Sequence, residues 1–285
     1  MTNKELIDLG SGTTKATIKG LRRVARSGDK TIRGSWAYYA IRLLGFLIAL
    51  ESGQASVTPF RIFGKGNAKL PWTTFSSLAV ADCPGAGECR DWCYSLKALR
   101  YPGAAFRQVQ NSHLLRSEHG RALVKNGWHK LKPGTVRLYV DGDFNDATTL
   151  NWWMDRCRER PDLSVYGYSK SLELFLGYTG AWPRNYTVNA SSGHRYSPAV
   201  EAAFRELDPV RGTFSAIESA EKRKIDEPFT QRQRQQILRE ARDAGHTGPL
   251  FACPGLCGQC LPNGEHGCGS ASLANVGIVI PNHGR

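Results

Sequence analysis

From residue 72 onward the chain alternates short apolar runs of strand period with longer stretches of helical period. TTFSSLAVADCP reads as a strand running into a cysteine loop. TVRLYVDGDF (135–144) is a strong strand with acids at its end, and LSVYGYSKS (163–171), NYTVNASS (185–192) and GTFSAIE (212–218) read as further strands. Between them, residues 104–126, 147–160, 171–178 and 197–206 carry helical spacing, and 229–244 reads as a polar helix rich in Gln and Arg. Upstream lies the most apolar run, WAYYAIRLLGFLIAL at 36–50. It is short and contains Arg42, which predicts a buried helix of about four turns and not a membrane span.

Strands alternating with helices predict an α/β fold on parallel strands, with a partial or closed (β/α) barrel-like core. In such cores the strand C-termini and the loops that follow carry the chemistry. Polar residues fall at those places here: Cys83, Asp141, Asp143, Lys170, the stretch 189–192 and Glu218. A doubly wound open sheet would put its site at the same strand ends. The organisation expected is a basic, helical N-terminal extension over 1–54, a β/α core with the first cysteine loop over 55–250, and a cysteine-rich tail over 251–285 packed on that core.

Composition is that of a globular protein, with 41% hydrophobic and 22% charged residues in 285. The formal net charge of +13 is the departure, and it points to a polyanionic partner, nucleic acid and specifically DNA. Residues 1–34 read as a basic arm containing Arg22, Arg23, Arg26, Lys30 and Arg33, while Arg232, Arg234 and Arg239 put further guanidiniums on the polar helix. A solvated basic surface is the plainer account of the same residues. The start, MTNKELIDLGSGTTK, lacks the apolar stretch of a secretory signal, so a cytoplasmic protein without a transmembrane segment is expected.

Eight cysteines change the picture more than the charge does. Cys83, Cys89 and Cys93 form a C-x5-C-x3-C group, and Cys253, Cys257, Cys260 and Cys268 form C-x3-C-x2-C-x7-C. Pro and Gly between them force turns that let several sulfurs face one centre. Tight grouping in a long chain of a reducing compartment reads as metal ligation, not as disulfides. Four thiolates suit a tetrahedral zinc or a cubane 4Fe-4S cluster. The uneven spacing and the Cys-Pro pairs favour the cluster, with zinc as the alternative. The second group can supply four ligands and the first three, so one or two centres are expected. Cys157, alone in a helical stretch, is expected to be a buried thiol.

The segments CPGAGECRDWCYSLKALRYPGA (83–104), VRLYVDGDF (136–144), YGYSKS (166–171) and the cysteine-rich end resemble the phage gene product 88 family of phages and mobile elements. The resemblance spans about residues 60–270 and implies a cysteine-bound cluster. More distantly the chain looks like the radical S-adenosylmethionine enzymes, which are β/α barrels. Their C-x3-C-x2-C follows the first barrel strand, whereas that spacing stands at 253–260 here. An open iron at the three-cysteine loop would be the place for S-adenosylmethionine.

Asp141 and Asp143 would share one side of a continued strand, where carboxylates can hold a hard metal for phosphodiester cleavage. Lys170 would meet a phosphate or balance these acids, and Glu218 or Glu173 would complete the set. Helix capping and loop turning around DFNDATT is the structural account of the same acids. His113, His119 and His129 read as surface or packing residues, and Tyr166, Tyr168 and Trp92 as core aromatics that can also stack on bases. The leading expectation is an iron–sulfur protein that binds DNA of a phage or plasmid. The alternatives are a radical S-adenosylmethionine-like enzyme or metal-dependent nuclease, and a zinc-stabilised non-catalytic adaptor.

Overall fold

The computed structural model describes residues 1–31, 35–224, 227–261 and 266–282. The alternating pattern becomes a parallel sheet. Its strands are β1 (Thr73–Thr74), β2 (Gly134–Leu138), β3 (Leu163–Ser169), β4 (Tyr186–Ser191), β5 (Val210–Ile217), β6 (Leu250–Ala252) and β7 (Gly277–Pro281), in the order β1-β2-β3-β4-β5-β7-β6. Every strand pairing is parallel. The α/β class stands as expected. The sheet is open, with β1 and β6 as its edges, so the barrel-like core is partial and not closed.

The helices are α1 (Asn3–Ser11), α2 (Thr14–Arg26), α3 (Trp36–Glu51), α4 (Pro102–Leu115), α5 (Glu118–His129), α6 (Ala147–Glu159), α7 (Leu172–Leu176), α8 (Pro198–Arg205) and α9 (Gln231–Asp243). Local chemistry sets their ends. Residues 104–126 read as one helix, but Ser117 accepts from Gly120 N–H and starts a new one, because a side-chain oxygen satisfies a donor that the first turn leaves open. Asp146 caps α6 in the same way, accepting from Thr149 N–H at 2.6 Å. None of the described helices is long and apolar enough to cross a membrane.

The two faces of the sheet are covered differently. Alternate residues Val136, Leu138, Val165, Val188 and Ala190 join Phe106, Val124, Trp128, Leu150, Trp153, Phe175 and Phe204 of α4 to α8 in the main core. Trp128 and Trp153 meet edge to face at 5.5 Å, and Trp153 meets Phe75 at 5.0 Å. Near the far edge, Ile237 of α9 covers Ile217, Ala252 and Val279 on that face. The other alternate positions, including Tyr166, Tyr168, Phe214, Phe251 and Ile278, pack with Cys253 and Cys268. A parallel sheet needs both faces covered, and here the cysteine segment supplies the second cover.

Two regions depart from the sequence pattern. Residues 1–34 read as a basic arm, yet α1 and α2 send Leu6, Leu9, Ile18, Leu21 and Val24 into the main core. The alternation of Leu and Ile with Lys and Arg makes α2 amphipathic, so its basic face stays outside. The acid-ended strand stops early: β2 ends at Leu138, because Tyr139 and Gly142 take positive φ values of 55° and 76°.

The placement of α1 and α2 predicts that Leu21→Ala costs about 2–5 kcal/mol in urea unfolding; a mobile arm would leave the midpoint unmoved. His113, 2% exposed, meets the Leu9 carbonyl through Nε2 at 3.2 Å. Burial depresses its pKa from 6.5 to about 4, so the unfolded chain takes up a proton that the folded one refuses. The resulting stability, of order 3 kcal/mol, is full above pH 6.5 and drains as pH falls toward 4. Urea midpoints followed from pH 7 to pH 4 should decline more steeply for the parent than for His113→Gln.

Candidate metal centre and strand-end loop

The four cysteines of the second group share one neighbourhood on the second face. Residues 253–268 leave β6 with Cys253 N–H donating to the Val279 carbonyl at 2.8 Å. They reach the opposite edge, where Cys257 N–H donates to the Lys69 carbonyl at 2.9 Å, just before β1. Four residues span at most about 14 Å, against about 29 Å between the edges of a flat sheet of this order, so the sheet curls to bring its edges near each other. His266 holds the crossing in place, with its ring 4.1 Å from that of Tyr166 and 4.8 Å from that of Trp72. Asn189 of β4 donates to the Cys268 carbonyl at 2.8 Å.

The thiols are electrostatically linked: Cys253 feels Cys268, Cys260 and Cys257, Cys257 feels Cys260, and Cys268 feels Cys260 and Cys257. Burial pushes all four thiols up, Cys268 to about 12. Donors aimed at sulfur oppose this. Gly255 N–H reaches Cys253 Sγ at 3.4 Å, Tyr166 and Tyr168 bond Cys257 and Cys268, and the Gly258 and Gly267 backbones bond Cys260. Among the described residues, no three His, Cys, Asp or Glu side chains already converge at metal-holding distance.

Two guanidiniums missed in the sequence stand beside these thiols. Arg211 is 4% exposed. It donates to Asn189 Oδ1 at 2.6 Å and to the carbonyls of Leu273 and Val276, none of which is a carboxylate. Cys268 is the thiol that weighs on it. Arg137 of β2 lies 4.6 Å from the Tyr168 ring centroid, near Cys257. Its Nε is buried without a hydrogen-bond partner among the described residues. Asp141 feels the Arg137 charge, whereas Arg211 has no carboxylate partner among the described residues, which is costly for a buried cation. The signal was present in the sequence: an Arg at an alternate position of an otherwise apolar parallel strand.

The first group lies in another neighbourhood, at the C-terminal ends of the strands as expected. The loop after β1 packs its backbone on the turns after β3 and β4. A Cβ on Gly85 would lie 1.7 Å from the Lys170 carbonyl oxygen, so only glycine fits. Gly87 and Cys89 N–H both donate to the Gly193 carbonyl, at 2.9 and 3.3 Å. Burial raises Cys83 and Cys89, with Asp143 and Lys170 acting on both, and Cys93 weighs on Cys89. Cys157 is fully buried in α6, as anticipated.

The carboxylates do not form a pair. Gly142 turns the chain between them. Asp143 is 3% exposed and accepts from Phe144 N–H, Ser169 Oγ and Lys170 N–H at 2.7–2.9 Å, so it pins the β3 turn. Asp141 faces α4 instead, accepting from Gln108 Nε2 at 3.2 Å. Burial raises both carboxyls. Lys170 Nζ donates to Ser191 Oγ at 2.5 Å, and Glu218 follows β5 on the exposed surface.

The basic residues divide too. Arg22, Arg23, Arg26 and Lys30 are exposed on and just after α2, while Arg33 lies outside the described residues. Arg232 and Arg239 are exposed on α9, at the other end of the sheet. Arg234 is half-buried and weighs on Cys260.

The comparisons with known proteins bear on this arrangement. The family model described as Gene product 88 matches residues 51–260. The chain belongs to the gene product 88 family. The matched stretch contains the first cysteine group and Cys253, Cys257 and Cys260 of the second. No curated protein and no solved structure matches the chain.

The close fit around the first loop predicts the effect of Gly193→Ala. Gly193 has φ +77°, and a Cβ there would lie 2.7 Å from Cys89 Cβ and 2.8 Å from the Trp92 ring. The variant should lose about 1–3 kcal/mol. Mass spectrometry should show faster iodoacetamide labelling of Cys89, with Cys157 as the protected reference.

Proposed function

We propose that this gene product 88 family member is an iron–sulfur protein whose basic surface binds nucleic acid, DNA of a phage or plasmid. The observation that carries the reading is the meeting of Cys253, Cys257, Cys260 and Cys268 beside Arg137 and Arg211. Four neutral thiols would leave Arg211 without an anionic partner, while Arg137 would face Asp141 alone. Four thiolates around a dication leave two negative charges, which the two guanidiniums match. The residues therefore fit a tetrathiolate-held group. A 4Fe-4S core suits the uneven spacing of the ligands and the phenol and backbone donors at the sulfurs, which tune such clusters. When bound, the cluster would supply a one-electron couple and a cross-link between the sheet's two edges. The chain's own residues supply the rest: Tyr166 and Tyr168 orient sulfurs, Arg137 and Arg211 hold the charge, and Phe214 and Phe251 exclude water.

The nucleic-acid part rests on the net charge of +13 and on exposed Arg22, Arg23, Arg26, Arg232 and Arg239, which can contact phosphates. Cleavage through a paired Asp141 and Asp143 is not favoured, since the two carboxylates face different neighbours.

Protein purified without oxygen should be brown and carry about four iron and four sulfide per centre, counting a second centre at Cys83, Cys89 and Cys93 by the same assay. Cys257→Ser and Cys268→Ser should lose the cluster, while Cys157→Ser keeps it. A colourless protein with stoichiometric zinc would replace this reading with the zinc-stabilised adaptor. Cleavage of S-adenosylmethionine by the reduced protein would move it to the radical enzymes. Fluorescent DNA titrated at two salt concentrations should bind more tightly at low salt. Replacing Arg22, Arg23 and Arg26 together by Gln should reduce the salt slope by up to about three; absence of binding at low salt would end the nucleic-acid part.

A further inference from the structure

A polar cleft of about 310 Å³ opens where β4 and β5 end, between the first cysteine loop and α8. Adjacent parallel strands expose such crevices at their C-terminal ends, and the volume is at the small end of ligand pockets. Ser191, Ser192 and Ser215 line it together with Glu88, Glu201, His194 and His246.

The hydrogen bonds around His194 decide what the cleft can hold. Tyr196 N–H donates to His194 Nδ1 at 3.3 Å, which leaves the ring proton on Nε2. That nitrogen faces Glu201 Oε2 at 3.1 Å, as a donor. It has no lone pair to offer a metal ion, and although His246 also lines the cleft, no three His, Cys, Asp or Glu side chains among the described residues converge at metal-holding distance. The carboxylates of Glu88 and Glu201 also repel an anion such as phosphate. What remains is a neutral ligand with several hydroxyls. Carboxylates accept paired O–H donors, and serine hydroxyls both give and accept.

The walls are fixed before any ligand arrives. Ser192 N–H donates to the Phe214 carbonyl at 2.9 Å, Ser192 Oγ accepts from Ala216 N–H at 3.1 Å, and Lys170 Nζ holds Ser191 Oγ. The Gly193 carbonyl is bonded by Gly87 and Cys89 N–H. Such pre-ordering lowers the cost of binding.

We propose that this cleft is a binding site for a single polyhydroxylated ring, a free sugar or the ribose of a nucleoside. The site goes beyond the metal and DNA reading and does not depend on it.

The test uses the full chain with D-ribose, D-glucose and uridine as probes and inorganic phosphate as the control, by saturation-transfer NMR and calorimetry. At least one of the three neutral probes should bind, and Glu88→Gln and Glu201→Gln should each weaken it at least tenfold with unchanged Tm. Both carboxylates are partly or fully exposed, so neither change threatens folding. Binding of ribose and uridine without glucose assigns the site to a nucleoside, and binding of glucose assigns it to free sugars. Saturation transfer to none of the three, binding unaffected by both substitutions, or phosphate binding in the cleft would each overturn the proposal.

Discussion

A fully parallel sheet has two apolar faces to remove from water, and that requirement organises this protein. Helices α4 to α8 cover one face with a continuous aromatic and aliphatic core, and α9 extends that cover at the far edge. The second face has Tyr166, Tyr168, Phe214, Phe251 and Ile278 to bury, and it receives the segment carrying four cysteines. That segment is rich in Gly and Pro and poor in large apolar side chains. Its hold on the sheet comes from a few specific bonds: Cys253 to β7, Cys257 to Lys69 ahead of β1, and Asn189 to Cys268.

The electrostatics of that face follow from its burial. Thiols removed from water resist ionisation, and guanidiniums removed from water resist standing alone. Arg137 and Arg211 place positive charge near Cys257 and Cys268, and the proposed tetrathiolate centre would relieve both costs at once. At the strand ends the logic is steric. The first cysteine loop lies so close to the turns after β3 and β4 that Gly85 and Gly193 admit no side chain. Asp143 fixes one of those turns with three hydrogen bonds. The metal candidates, the strand-end acids and the hydroxyl-lined cleft are thus held by neighbouring parts of one scaffold, each with its own chemistry.

Much of this was legible in the chain. Period-two apolar runs at 163–171 and 185–192 become β3 and β4, because burial of alternate residues on a sheet leaves that period behind. Asp146 marks a helix start, since a carboxylate before a helical run has a free N–H to accept from. Strand β7 was not legible. Five residues in a loop-rich tail carry little periodicity, and only pairing with β5 and β6 makes them a central strand. The same holds for α1 and α2, whose many Lys and Arg outweigh the few leucines that pack inward.

By itself the sequence determined the α/β class, most element positions, the two cysteine groups and the basic balance, because each depends on neighbours within a few residues. The tertiary structure decided which residues meet. It separated Asp141 from Asp143 through two left-handed backbone positions at Tyr139 and Gly142. It placed the second cysteine group near Arg137 and Arg211, which lie more than forty residues away in the chain. It also brought His194 and Glu201 to the mouth of a cleft with serines from two strands. Such meetings depend on the order of strands in the sheet and on which face each side chain takes, and strand order is a property of the packed chain as a whole.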